Sequence, residues 1–197
     1  MRRIEAVRVV AGAVTGDELF VCALGGLWDD WWNEAPKGPA HTFYPSVMGS
    51  VCSLGLGLAL ARPERRVVAL DADGSLLMGL SVLCVLGQER PANLTVIVFD
   101  NGVYEGTGGQ PTHTGARADL AAIAAASGCP DTGTADSPDA LEREARRLLA
   151  QDGLGFLVAR IEPGAHDWPA ERRKDTTGVE DKLNFVRHVR QTTPTSS

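Results

Sequence analysis

The sequence predicts an α/β protein in which helices cover both faces of a mostly parallel sheet. Apolar strand-like runs alternate with helix-like runs, and the strand-like runs are almost wholly apolar, as the strands of a parallel sheet require. With 197 residues, 44% of them hydrophobic, the chain can bury one core of its own. We expect one domain over residues 1–190 and a disordered tail over residues 191–197.

The first third of the chain predicts a helix, a strand and a second helix. Ile4, Val7 and Val10 recur at helical spacing, and residues 19–26 form an apolar run that ends in two glycines. An aromatic segment and a loop rich in proline and glycine come next. Residues 47–61 are almost wholly apolar, so we expect a buried helix there despite its glycines.

A strand, a helix and a second strand are predicted over residues 66–100. The strands are 66–72 and 94–100, and the helix runs from about Ser75 to Gln88. A glycine-rich loop, 101–115, follows. The rest of the chain predicts a helix over 118–127, a short strand near Thr132, a helix capped by Ser137 and Pro138, a strand over 155–161 and a terminal helix with Lys182 and Arg187.

Composition argues against several classes of protein. The net charge of −6 and the pI near 5.2 disfavour a nucleic-acid binder, because phosphate backbones demand a basic face. No apolar run approaches the roughly 20 residues that span a bilayer, and the N-terminus lacks the apolar core of a signal peptide, so we expect a cytoplasmic protein. The cysteines lie far apart in apolar surroundings, which predicts reduced core residues: Cys22, Cys52, Cys84 and Cys129.

The stretch "ALDADGS" ends a strand in two carboxylates and permits two interpretations. One is a phosphatase of the haloacid dehalogenase type, with Asp71 as nucleophile and Asp73 as acid/base. That site also requires a lysine and a second acidic pair at later strand ends, which this chain does not offer near Asp100. The other pairs Asp73 with Asn101, because residues 75–99 suffice for one helix and a return strand that place the two turns side by side. Their carboxylate and amide oxygens would suit Mg²⁺.

This pair resembles the Gly-Asp-Gly and Asn-Asn motif of the thiamine diphosphate-dependent enzymes, whose halves lie about 25 residues apart. Here the halves read "ADGS" and "DN", with Ala72 and Asp100 in place of the first glycine and the first asparagine. Residues 44–80 resemble the decarboxylase branch, in particular subunits of sulfopyruvate and phosphonopyruvate decarboxylases, whose loops read similarly to "GTGGQPT". The resemblance spans about residues 1–190 and implies a three-layer α/β/α fold that binds thiamine diphosphate.

The resemblance implies thiamine diphosphate and Mg²⁺ as cofactors. The side chains of Asp73 and Asn101 and the backbone carbonyl of Val103 would hold the ion. The backbone of two glycines would bind the diphosphate, Met48 would support the bent cofactor, and the Ser46 carbonyl would orient its amino group. The two glycines are Gly25 and Gly26, and the other residues expected to contact the cofactor are Gly74, Ser75 and Tyr104.

Three residues of the glycine-rich loop are candidates for the substrate pocket. His113 would donate a proton, bind a carboxylate or lie on the surface. Thr107 would shape the pocket, and Gln110 would bind an acidic group of the substrate or brace the loop. No glutamate of this chain suits activation of the cofactor. The resemblance therefore implies a separate pyrimidine-binding subunit, in a heterotetramer with two copies of each chain, acting on a small 2-oxo acid.

Other interpretations stay open at this point. The chain could be a carboligase acting on a biosynthetic 2-oxo acid, the phosphatase described above, or a non-catalytic regulatory subunit that binds the cofactor. The tryptophans of the aromatic segment, Trp28, Trp31 and Trp32, share one helical face that predicts core or interface packing, with interface favoured over substrate contact. The basic run 172–174 is a solvated patch or attracts an anionic substrate.

Overall fold

A six-stranded parallel sheet forms the centre of the molecule. The computed structural model describes residues 1–36, 38, 41–169, 172 and 178–191. The strands are β1 (Leu19–Cys22), β2 (Thr42–Phe43), β3 (Val67–Ala72), β4 (Leu94–Asp100), β5 (Val103–Tyr104), β6 (Gln110–Pro111), β7 (Asp131–Ala135) and β8 (Gly155–Arg160). The sheet has the order β2-β1-β3-β4-β8-β7, and β5 and β6 form a separate antiparallel pair.

Two groups of helices flank the sheet. The helices are α1 (Arg3–Ala13), α2 (Gly26–Glu34), α3 (Val51–Ala61), α4 (Asp73–Met78), α5 (Val82–Glu89), α6 (Leu120–Ala126), α7 (Pro138–Ala150) and α8 (Gly178–Gln191). Helix α1 packs against α2 and α7, whereas α5 packs against α3 and α6. The predicted three-layer α/β/α architecture is confirmed.

The two central strands bring the predicted functional turns together. All of β4 and all but the last residue of β3 are buried, which agrees with their apolar sequences. They pair in parallel, with Val67 opposite Leu94 and Ala72 opposite Phe99. Because the register runs to the ends of both strands, the turns that follow β3 and β4 lie next to each other at the carboxyl edge of the sheet.

The helix predicted from Ser75 to Gln88 is in fact two helices, α4 and α5. The chain breaks between them because the backbone of Gly79 packs directly on that of Gly49, and an added Cβ would overlap the Gly49 carbonyl oxygen. Helix α3 also differs from the prediction. It begins at Val51, four residues late, and Leu54 and Leu60 on its outer face are exposed, so a continuous apolar sequence does not mean complete burial here.

Two further details differ from the expectations. Cys84 is exposed on α5 and is not a core residue, whereas Cys22, Cys52 and Cys129 are buried and all four thiols are free. The two-residue strand β2 had no signal in the sequence. It is positioned by the indole of Trp31, which is fully buried and donates to the Thr42 hydroxyl at 3.0 Å.

The aromatic face of α2 packs within this chain. The Trp28 ring stacks on Tyr44 with ring centroids 4.7 Å apart, and the Trp32 ring lies 5.7 Å from the same tyrosine. Together with the buried Trp31, these contacts support the core interpretation of the tryptophans. Interface packing is wrong for Trp31.

Helix α8 docks on the edge of the sheet next to β2. The Phe185 ring packs against Phe43, and the His188 ring lies 3.8 Å from that of His41. The helix ends at Gln191, one residue past the expected domain boundary, and residues 192–197 of the expected tail lie outside the described part of the chain. No helix among the described residues has the length and apolar character needed to cross a membrane.

Candidate cofactor site

A cavity of about 460 Å³ opens where β1, β3 and β4 end. Its walls are the turn at Gly25–Leu27 after β1, the start of α4 after β3 and the loop that follows β4. Ligands of open α/β sheets bind outside the carboxyl ends of the strands, and small-molecule sites have volumes of about 300–1,000 Å³. The position and size of the cavity therefore suit a cofactor.

The cavity brings together most of the residues predicted for the site. Those that line it are Gly25, Gly26, Met48, Asp73, Gly74, Ser75, Asn101, Val103, Tyr104, Thr107 and Gln110. Ser46 and His113 do not line it, and both are exposed. Ser46 lies next to Gly178 at the start of α8. His113 begins a short 3-10 turn, and its backbone carbonyl accepts the N–H of Arg117.

Asp73 is a buried carboxylate at the cavity wall. The Thr112 hydroxyl donates to its Oδ2 at 2.6 Å, and the oxygen of the Thr114 hydroxyl, which donates to Asp100, lies 3.0 Å from the same atom, so neither threonine uses Oδ1. Burial raises the pKa of Asp73, and the neighbouring Asp100 carboxylate adds to the rise. Within the described residues Asp73 forms no ion pair, so its charge is held by neutral donors alone.

Asp100 occupies the position of the first asparagine of the family motif, and the structure explains how an acid fits there. Its Oδ2 accepts from Arg160 at 2.6 Å, and its Oδ1 accepts from the Thr114 hydroxyl at 2.7 Å and from the Gly102 N–H at 3.1 Å. Because the guanidinium neutralises it, Asp100 adds little net charge to the site.

The loop after β4 is held in place by Asn101 and Tyr104. The Asn101 Oδ1 accepts the backbone N–H of Val103 at 3.0 Å, which closes a tight turn at the strand end. The Tyr104 ring lies directly against Gly74, where an added Cβ would come within 2.5 Å of a ring carbon. Glycine is therefore required at position 74 for the loop to close over the start of α4.

Thr107 and Gln110 brace the loop while lining the cavity. The Thr107 hydroxyl donates to the Gln110 side-chain oxygen at 3.0 Å, and the Gln110 amide donates to the Thr107 carbonyl at 2.9 Å. Gln110 thus has the bracing role expected from the sequence, at the wall of the cavity.

The basic run 172–174 is described only at Arg172. Near the end of α2, Arg172 stacks on Trp168 and binds Asn33, whereas Arg173 and Lys174 lie outside the described residues.

Asp71 lies in the core and not in the cavity. It is completely buried, accepts from the Ala72 N–H at 2.9 Å and lies 3.5 Å from the Cys52 thiol. Burial raises its pKa to about 6, with a smaller contribution from Asp73. A phosphatase nucleophile must reach its substrate, so the structure does not support the phosphatase interpretation.

Four polar or charged residues of the site had escaped the sequence analysis. Thr112 and Thr114 belong to "QPTHT", and the 3-10 turn that begins at His113 brings their hydroxyl oxygens to 2.8 Å from each other. Glu105 had been assigned only to the loop. Arg3 lines the cavity from the first turn of α1, and nothing in the sequence near it signals this position.

The residues of the cavity fit a diphosphate bound with Mg²⁺. A buried carboxylate without a cationic partner, next to an amide oxygen, is a donor set of the kind that Mg²⁺ prefers. Opposite it, Gly25 and Gly26 begin a helix whose first N–H groups have no side-chain cap, an arrangement that favours anions.

Comparisons with known proteins agree with this fit. A family model described as the thiamine pyrophosphate enzyme, C-terminal TPP binding domain, matches residues 29–159. Sulfopyruvate decarboxylase subunit beta from Methanothermobacter thermautotrophicus is 36% identical over 193 residues, which cover 98% of both proteins. Phosphonopyruvate decarboxylase from Streptomyces viridochromogenes is 42% identical over 127 residues, 64% of this chain and 32% of that protein.

A solved structure shares the fold. A crystal structure from Mycobacterium smegmatis, described as a thiamin diphosphate-dependent enzyme, has a TM-score of 0.72 to this chain at 26% identity. The match covers 83% of this chain and 32% of the other, so the chain spans about a third of that protein.

The fold and the cavity define a domain that binds thiamine diphosphate, and the chain belongs to the thiamine pyrophosphate enzyme family. Within that family the relatives that match most of this chain are decarboxylases, whereas a 3D-(3,5/4)-trihydroxycyclohexane-1,2-dione hydrolase from Halalkalibacterium halodurans matches 50% of it at 34% identity. The chain is a member of the group formed by the sulfopyruvate and phosphonopyruvate decarboxylases, which confirms the resemblance read from the sequence.

Proposed function

We propose that this chain is the diphosphate-binding subunit of a two-component decarboxylase that depends on thiamine diphosphate and Mg²⁺. Its substrate would be a small 2-oxo acid with a second acidic group, such as sulfopyruvate or phosphonopyruvate, after the names of its relatives. The observation that carries the proposal is the position of Asp73 beside Asn101 at the wall of one cavity.

The residues of this chain would divide the binding of the cofactor between them. Asp73, Asn101 and the Val103 carbonyl would hold Mg²⁺, while the N–H groups at Gly25 and Gly26 would bind the diphosphate. When bound, thiamine diphosphate supplies the electron sink that lets a 2-oxo acid lose carbon dioxide.

The rest of the cavity would serve the substrate. Met48 and Met78 form an apolar wall that would support the cofactor and exclude water, and Thr107 and Gln110 would contact the substrate at the loop. One N–H of the Gln110 amide donates to the Thr107 carbonyl, and the second would donate to an acidic group of the substrate.

A separate pyrimidine-binding subunit would complete the site. A relative from Methanosarcina acetivorans, called sulfopyruvate decarboxylase without a subunit name, matches 86% of this chain over only 43% of its own length. The remainder of that relative would correspond to the second subunit here. We propose a heterotetramer with two copies of each chain.

An apolar surface next to the cavity supports this partner. Val47, Leu54, Met78 and Val85 are 39–65% exposed, and Val85 lines a groove between α3 and the turn that joins α4 to α5. Met78 lines the cofactor cavity and Gly79 lines the groove, so a partner that covers the cavity would also cover the groove.

The test is cofactor binding by the chain and its candidate partner. Titration calorimetry should detect thiamine diphosphate binding that requires Mg²⁺, and Asp73→Asn should abolish it without lowering the melting temperature of the chain. Asp139→Asn, at an exposed residue of α7, is the matched control and should bind as the wild type does. Binding that survives Asp73→Asn would refute the ligand assignment.

Turnover assays on the assembled subunits separate the remaining functions. Release of carbon dioxide from sulfopyruvate or phosphonopyruvate supports the decarboxylase, with an aldehyde product distinguishing it from a carboligase. Cofactor binding without turnover of any 2-oxo acid would favour a regulatory subunit instead.

A further inference from the structure

Arg3 connects two walls of the cofactor cavity from a helix that belongs to neither. It is 5% exposed and is the one cationic side chain among the described residues that line the cavity. Its Nε donates to Asp30 of α2 at 2.8 Å, and its Nη1 donates to Glu105 of the loop at 2.6 Å. The guanidinium therefore joins the helix that begins at Gly26 to the loop after β4.

The two carboxylates are themselves anchored on their other oxygens. Asp30 accepts the indole N–H of Trp168 at 2.8 Å, and Glu105 accepts the backbone N–H of Gly164. Although burial alone would lower the pKa of Arg3, the hydrogen bonds and charges of Asp30 and Glu105 raise it. The guanidinium of Arg3 therefore stays charged between the two acidic side chains.

The contact with α2 also depends on Gly26. The guanidinium lies directly on this glycine, and a Cβ there would overlap Nη1 and Nη2. The first turn of α2 and the side chain of Arg3 are thus packed face to face, so a shift of one requires a shift of the other.

We infer that Arg3 is a positioning residue, which sets the distance between the Gly25–Gly26 turn and the loop that carries Val103. Resting on the proposed function, this assigns to Arg3 the spacing between the diphosphate-binding wall and the wall that presents the Val103 carbonyl. A planar guanidinium bonds two carboxylates at once in fixed geometry, which a lysine ammonium cannot reproduce. Without it, the carboxylates of the buried Asp30 and the partly exposed Glu105 would face each other with no cation between them, and Glu105 would move away with its loop.

The first test measures the loop without the cofactor. In hydrogen exchange followed by mass spectrometry on the full chain, Arg3→Met should increase exchange in peptides covering 101–112, with no change in α7. Arg3→Lys should give an intermediate increase. Arg8→Met is the matched control, because Arg8 also lies on α1 and also pairs with α2, through Glu34, but at the surface. It should leave the loop unchanged.

The second test measures the cofactor. In the assembled enzyme, Arg3→Met should weaken Mg²⁺-dependent binding of thiamine diphosphate by about 10- to 100-fold, the usual effect of removing a residue that orients a ligand, and Arg8→Met should not. If Arg3→Met does not fold, Glu105→Gln removes the charge partner from the loop side and should increase exchange over the same peptides.

The outcomes separate this inference from the proposed function. Unchanged loop exchange in Arg3→Met, or in Glu105→Gln where the first variant fails to fold, overturns the role of Arg3 even if the wild type binds the cofactor. If Arg3→Met shows increased loop exchange but the wild type never binds the cofactor, the role of Arg3 in positioning the loop is supported and the proposed function is overturned.

Discussion

Thr112→Val tests whether hydroxyl groups hold Asp73 in the apo protein. Valine has the shape of threonine, so the change removes only the hydroxyl that donates to Asp73 at 2.6 Å. A hydrogen bond to a charged group contributes about 1.5–3 kcal/mol, and the Thr114 hydroxyl does not replace it while it donates to Asp100 at 2.7 Å. At this chain length each kcal/mol shifts the melting temperature by about 2–4 °C, so we expect a decrease of roughly 3–12 °C.

The same substitution at Thr95 is the matched control. Thr95 is completely buried in β4, and its hydroxyl has no hydrogen-bond partner among the described residues. Thr95→Val removes an unsatisfied polar group, so the melting temperature should stay the same or rise. Both melting temperatures are measured by circular dichroism at pH 7.5. Equal values for the two variants would refute the argument that the Thr112 hydroxyl stabilises a buried charge.

Two further predictions concern other charged groups. Arg160→Met should lower the free energy of unfolding in urea by about 3 kcal/mol, because it leaves the buried Asp100 without its ion-pair partner. Adding Asp100→Asn to this variant should restore most of the lost stability. No recovery would show that Arg160 acts by packing alone. Burial and the nearby His41 and Arg65 lower the pKa of His188 below its usual 6.5, so the neutral ring is favoured in the folded state. The contribution of the neutral His188 ring to stability is present above pH 6.5 and is lost as the pH falls through the lowered pKa. Between pH 7.5 and 5.5 the melting temperature of His188→Phe should therefore decrease less than that of the wild type. Parallel decreases in the two proteins would contradict this prediction.

The central part of the fold could be predicted because its signals are local. The apolar strands β3 and β4 are separated by one crossover, and β4 has the predicted bounds, Leu94–Asp100. Asp73 and Asn101 follow directly from those two strands, which is why their meeting at one cavity could be expected from spacing alone. The first residue of α7 could also be predicted from the sequence, because Ser137 caps the helix by accepting the Ala140 N–H.

Features that depend on tertiary contacts could not be predicted. The break between α4 and α5 is caused by a backbone contact with Gly49, a residue 30 positions from Gly79 in the chain. The two-residue β2 exists because Trp31 binds Thr42. Arg3 lies at the cavity because it binds Glu105, which is 102 positions later in the chain, and no periodicity or motif indicates a contact at that separation.

The outer face of α3 shows the limit of hydrophobicity as a guide to burial. Its sequence is apolar on all sides, yet Leu54 and Leu60 are exposed in this chain. An all-round apolar helix predicts burial without saying in which molecule. The sequence signal and the exposed side chains are compatible if another polypeptide covers this face, as the proposed assembly requires.

The close approach of Gly49 and Gly79 makes one rigid unit of the segments that carry Met48 and Met78. A backbone shift at one of these glycines would displace the other, so the segments that carry the two methionines are coupled through this contact. A change of either methionine would therefore alter the apolar wall alone, whereas a side chain at Gly79 would collide with the backbone of Gly49 and disturb both segments.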